Sequence, residues 1–142
     1  MKRLKILIAL LLVGLLTMAG VYFFIYNKPH TNFEKASPAF TMEAAELYQE
    51  FTSNQVTAEE QYNGKVIQLS GTLDSVEKSA DLHIAVFAFE DGLFGKEGIR
   101  CTLLENHVEQ ATALMDTSIT LKGFLTGYSG SDVILEHCSV IQ

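Results

Sequence analysis

Two cysteines, Cys101 and Cys138, and four histidines, His30, His83, His107 and His137, are the residues of this 142-residue chain whose types could do redox or metal chemistry. Their spacing argues against a metal. His137 and Cys138 are adjacent, so on a strand they point to opposite faces. His30, His83 and His107 are scattered without ligand spacing. All four read as surface or partly buried histidines, and no metal or other cofactor is expected. The stretch Gly92-Leu93-Phe94-Gly95-Lys96-Glu97-Gly98 resembles a phosphate loop only at a glance. Two residues, not four, separate the glycine from Gly-Lys, and no Ser or Thr follows. It reads as a hairpin loop. No Ser/His/Asp or Cys/His arrangement stands out, and the carboxylates fall mainly on predicted solvent faces, so no catalytic residue is assigned and the chain is read as a non-enzyme.

The charge is uneven. Lys2, Arg3 and Lys5 precede Ile6–Tyr26, a run of 21 uncharged residues. As a helix the run spans about 31 Å, the thickness of a hydrocarbon core. A secretory signal has a shorter apolar stretch and a small-x-small cleavage site, and the nearest match, Thr17-Met18-Ala19, fits poorly. No cysteine near residue 20 offers itself for lipid modification. An uncleaved signal anchor is favoured over a cleaved signal peptide. Tyr22 and Tyr26 sit near the far end of the run, where aromatic rings favour the interface. By the positive-inside rule residues 1–5 are a cytoplasmic basic stub, 6–26 the transmembrane anchor, and the remainder is exported. In a Gram-negative bacterium that places it in the periplasm. From residue 28 on there are 7 Lys+Arg (10 less Lys2, Arg3 and Lys5) against all 17 Asp+Glu, a net charge of 7 − 17 = −10. Such a surface repels nucleic-acid backbones and anionic lipid.

Residues 27–40 hold both prolines and read as a linker. In the 41–59 region Thr41 is a candidate helix cap, and Ala44, Leu47, Tyr48 and Phe51 recur at helical spacing. This predicts an amphipathic helix over about 41–52. From Asn63-Gly64 the period becomes two. Strands are expected at Lys65–Val76, with Gly71 as a bulge or bend, and at Leu82–Phe89, Ile99–Leu103, Ser118–Leu125 and Val133–Val140. A helix over Asn106–Met115, capped by Asn106 with Glu109 three residues on, falls between the third and fourth. The order over residues 60–142 is that of an OB-fold, a mainly β, five-stranded barrel with a helix between strands three and four. The amphipathic helix and the transmembrane helix precede it.

The pieces Tyr62-Asn63-Gly64-Lys65-Val66-Ile67, Ser70-Gly71, Arg100-Cys101-Thr102, Lys122-Gly123-Phe124-Leu125-Thr126-Gly127-Tyr128 and Asp132 to Val140 together resemble the tRNA-anticodon-domain-like OB family. The resemblance implies a fold related to tRNA-binding domains in bacterial proteins that are often exported; it implies no particular activity. The acidic charge and the lack of a basic stripe depart from anticodon binders. In an OB barrel strands three and five are neighbours, so Cys101 and Cys138 are candidates for a disulfide, although Cys138 shares side-chain parity with Glu136 unless a bulge intervenes. A bridge and two separately buried thiols both stay open. The binding face of the fold is expected from strands two and three and the loops after strands one and four. Phe87, Phe89, Phe94, Arg100 and Tyr128 are the candidates to line it, with filling of the barrel the stronger reading for Phe87 and Phe89 and Tyr128 the foremost contact. The expected partner is a protein, in interaction or envelope assembly. A small molecule or saccharide comes second, single-stranded nucleic acid third.

Overall fold

Leucine is the commonest residue of the first 26, and no proline interrupts them. Such a run is helical by propensity. In a computed structural model, which describes residues 2–26 and 32–141 (side chains of 7, 9 and 24–26 excepted), it forms helix α1, Lys2–Tyr26. The helix is long and apolar enough to cross a membrane. Thr17 donates its hydroxyl to the carbonyls of Val13 and Gly14 at 3.1 and 2.9 Å, which satisfies it without water. Residues 1–31 form one unit and 32–142 a second.

The second unit is mainly β. Its elements are β1 (Phe40–Glu43), α2 (Ala44–Ser53), α3 (Gln55–Tyr62), β2 (Val66–Thr72), β3 (Ser75–Ser79), β4 (Leu82–Gly92) and β5 (Gly95–Leu103). A 3-10 turn (Glu105–His107), α4 (Val108–Ala113), β6 (Ser118–Tyr128) and β7 (Val133–Ile141) follow. One seven-stranded sheet runs β1-β2-β6-β7-β5-β4-β3. The pairs β1·β2 and β5·β7 are parallel and the others antiparallel.

The expected closed barrel of five strands is therefore corrected. The ladder stays open, with β1 and β3 as its end strands. The segment expected as a first strand, 65–76, divides at Leu73-Asp74. There the Leu73 N–H donates to Thr117 O at 3.1 Å and the Asp74 N–H to Val86 O at 2.9 Å. Two residues thus face two different neighbours, and the chain turns from β6 toward β4. Gly71 is not the bend. It pairs regularly with Ile119, and a Cβ there would come within 3.1 Å of the Ala44 Cβ, so its role is to admit α2.

Thr41 is not a cap. It lies in β1, where Phe40 and Met42 turn inward and Thr41 and Glu43 outward, a period-two pattern too short to detect beside the helix. The helix itself buries Ala44, Leu47, Tyr48 and Phe51, as the spacing predicts. The further helix α3 is capped by Asn54, whose side chain accepts from the Thr57 N–H at 3.3 Å. Asn106 caps nothing; its amide reaches Glu34 at 3.4 Å instead, and a 3-10 turn takes the place of the first helical turn. Of the expected linker, residues 27–31 and with them His30 lie outside the described residues. Residues 32–40 pack on the sheet, with Phe33 against the rings of Phe124 and His137 at 4.8 and 4.9 Å.

A bulge in β7 settles the parity of Cys138. Cys101 pairs with Leu135 but Leu103 with Cys138, three residues against two. His137 takes the extra position with φ 54°, in the left-handed region. Glu136 and His137 face outward and Cys138 returns to the core with Cys101. A second bulge in β4 displaces Phe89 between Ala88 and Glu90.

The tightest approach to main chain is at Gly98, where a Cβ would fall 1.9 Å from the main-chain oxygen of Phe87. Backbone cannot yield as a side-chain tip does. Gly98→Ala is expected to destabilise the domain by about 1–3 kcal/mol or more. Gly127→Ala, which meets nothing within 4 Å, is the near-neutral comparison. Denaturant unfolding read by near-UV circular dichroism checks both.

Candidate binding face

The five candidates do not converge on one open surface. Phe87 is wholly buried and fills the core between β4 and α2, the alternative left open for it. Phe89, thrown out by its bulge, stacks on Tyr48 of α2 with ring centroids 5.2 Å apart. Tyr128, at the end of β6, is half-buried. Its ring lies 5.5 Å from Phe51 of α2, and its hydroxyl donates back to Gly130 O at 2.9 Å. The aromatics expected to meet a ligand thus meet the amphipathic helix. Leu47, Tyr48 and Phe51, spaced to pack on the domain, cover this part of the face. Burial, followed by the charge of Glu90, pushes the Tyr48 hydroxyl up to about 12. Burial and then Glu97, Asp132 and Glu90 push Tyr128 up as well. Both phenols stay neutral, surrounded by carboxylates.

Arg100 is committed too. Its Nη1 lies 2.8 Å from a Glu77 oxygen and its Nε 3.2 Å from Asp132 Oδ2. Burial works against its charge, but Glu77 and Asp132 outweigh that and raise its pKa. Asp132 also accepts the Gly98 N–H at 3.0 Å and closes its own loop, where its N–H donates to Ser129 Oγ at 3.0 Å. Lys96 pairs with Asp74 at 2.6 Å. The two cations of β5 are therefore each matched by carboxylates. Phe94 differs from the other four candidates: it is fully exposed at the turn between β4 and β5, and so is its neighbour Leu93.

His83, His107 and His137 behave as structural or surface groups. His107 Nε2 lies 2.9 Å from Glu34 Oε1, and its Nδ1 accepts the Val140 N–H at 3.3 Å. The hydrogen bond from His107 holds the Glu34 carboxyl below the usual carboxylate range. Lys122 donates to Glu34 O at 2.8 Å, so this turn is fastened from two sides. His83 and His137 line a cleft of about 440 Å³ between the start of β4, the end of β5 and the β7 bulge. Leu82, Leu103 and Leu104 give it apolar walls; no Phe or Tyr lines it. The aromatic-lined concavity that a saccharide favours is not what this cleft offers. Among the described residues no group of three His, Cys, Asp or Glu is placed to hold a metal ion. Cys101 and Cys138 are neighbouring buried thiols, and burial and then the hydrogen bond between them hold the Cys138 thiol well above its ordinary pKa.

Sequence reasoning missed Leu93, Tyr48 and Phe51 as residues of this face. Leu93 carried a signal: it adjoins Phe94 between Gly92 and Gly95, in a turn too short to bury either. Tyr48 and Phe51 carried none beyond core packing, because which face a helix covers depends on tertiary placement.

Asp132 is the joint of the surviving polar network. Asp132→Ala is expected to lower stability by about 1–3 kcal/mol through the orphaned Gly98 N–H and the lost Arg100 partner. Arg100→Gln, which leaves the Gly98 bond intact, costs less. Thermal unfolding of the two variants side by side measures the difference.

The model of the tRNA_anti-like family matches residues 1–140. No curated protein matches the chain. Among solved structures, a "putative nucleic acid-binding lipoprotein" from Klebsiella pneumoniae aligns at 22% identity with a TM-score of 0.54, covering 72% of this chain and 91% of that one. An asparaginyl-tRNA synthetase from Pyrococcus horikoshii aligns at 20% identity and a TM-score of 0.39, over 58% of this chain and 20% of its own. At these identities the Klebsiella likeness is one of fold.

Proposed function

We propose, from the premise that this chain belongs to the tRNA_anti-like family, that it is a membrane-anchored, exported OB-fold domain whose ligand is a protein. The family is a binding domain, and no catalytic family is indicated. Helix α1 serves as anchor, with Lys2, Arg3 and Lys5 retained on the cytoplasmic side. It does for this chain what a lipid does for a lipoprotein, since no cysteine stands near residue 20.

One observation carries the choice of a protein over a nucleic acid. The cations of the face are spent internally, Arg100 on Glu77 and Asp132 and Lys96 on Asp74, while Glu90, Asp91 and Glu97 border the same strands. Single-strand binders on this fold need a positive groove beside stacking aromatics, each stacked base contributing about 1–3 kcal/mol. Here Phe89 is stacked on Tyr48 and Tyr128 lies tilted against Phe51, both of α2, and the groove charge is negative. Nucleic-acid binding, the second reading, has in its favour the fold and the name borne by the Klebsiella protein.

Two measurements test this. Titration of labelled single-stranded DNA and RNA with the chain across a salt series should give no micromolar complex at physiological salt; a micromolar complex that weakens steeply with salt puts nucleic acid first. Export also bears on the cysteines. The β7 bulge brings Cys138 to the side of Cys101, so in an oxidising compartment the pair closes as a disulfide. Thiol labelling of denatured, unreduced protein should then find none free, and two free thiols per chain reject the bridge.

A further inference from the structure

The β4–β5 hairpin ends in an apolar point. Gly92 and Gly95 are the last paired residues, and between them Leu93 and Phe94 are 96% and 103% exposed. Single exposed apolar residues are ordinary; two adjacent large ones at the tip of one hairpin are not. The neck is braced. Lys96 pairs across the hairpin with Asp91 in register and holds Asp74 by its ammonium, and the Glu97 side chain lies over Gly92, where a Cβ would collide with it. A point held in place this way loses little conformational freedom when it docks.

Resting on the protein-binding reading above, we infer that Leu93 and Phe94 insert together into an apolar pocket on a partner protein, and that the rim of that pocket is basic. The sign of the rim follows from the collar. Glu90, Asp91 and Glu97 surround the neck, and its one cation, Lys96, is matched by Asp74. The same collar weighs against a membrane as the occupant, because anionic headgroups meet like charge. It also weighs against a second copy of this chain. The 440 Å³ cleft could admit a ring by size, but Asp81, Glu105 and Glu136 line it, so acidic collar would meet acidic rim.

The test uses the full chain in the membrane of the cells that make it. A photo-crosslinking amino acid is placed at Phe94, at Ser129 and, as an exposed control on α3, at Val56. The inference expects a discrete protein adduct from Phe94 and not from Val56, with the crosslinked peptide lying in an apolar pocket flanked by Lys or Arg. Binding of that purified partner to the chain in detergent should then weaken about 10- to 30-fold in Phe94→Ser or Leu93→Ser. It should be unchanged in Val56→Ser and lose salt dependence in the double variant Asp91→Asn, Glu97→Gln. Adducts to lipid or to a second copy from Phe94 overturn the inference. A protein adduct from Ser129 alone overturns it while leaving the protein-binding reading intact. No protein adduct from any position overturns both.

Discussion

A single turn of the main chain at Leu73-Asp74 decides how this domain is assembled. A strand has two edges, and the 66–79 segment must serve β6 with its first half and β4 with its second. The two N–H groups at the turn donate to Thr117, just before β6, and to Val86 of β4. Leu73 itself is wholly buried at the junction, so turning the chain there also plugs the core. Everything beyond depends on that turn. It sets β4 against β5, β5 against β7 and β7 against β6, and so returns the ladder to β2. It also leaves β3 as an end strand, and Glu77 and Lys78 on that strand are the charged residues that keep an edge from pairing with other chains.

The β7 bulge performs a related service at the other side of the sheet. Without the extra residue at His137, Cys138 would share the outward side of Glu136, and Gly123 would face a hole. With it, Cys138 sulfur occupies the space that a Gly123 side chain would need, 2.4 Å from where its Cβ would be. The displaced His137 ring becomes a platform for Phe33. Glycine at 123 and cysteine at 138 are therefore one fitted pair, and the left-handed backbone of a non-glycine residue is the local strain that the fit entails.

Period-two alternation marks the strands: Ile67 and Leu69 are buried in β2, and the order of strands around α4 is legible in the sequence alone. The face was much less so. Tyr128 is a candidate contact because it stands in a Gly/Ser loop, and Phe89 because it ends the second expected strand, yet nothing local reveals that both lie against α2. Arg100 is a candidate from its place on the third expected strand. Its partners, Glu77 and Asp132, are 23 and 32 residues away along the chain, beyond any spacing rule. β1 and α3 were missed for opposite reasons. β1 is four residues long, and α3 has little apolar face to detect, only Ala58 and Tyr62 being buried. Phe94 is exposed because a turn of two residues between paired glycines has nowhere to hide a ring.

The position of β7 has a consequence for how the chain matures. The last strand in sequence sits in the middle of the sheet, bonded to β5 on one edge and β6 on the other. No arrangement of the earlier strands alone completes the ladder, and the β2·β6 pairing already joins residues 50 apart, Ser70 and Thr120. Such non-local pairing is slow to form. For a chain made from its N-terminus, that delay has a use. The earlier strands stay extensible as they appear, and cooperative folding waits until residues 133–141 arrive.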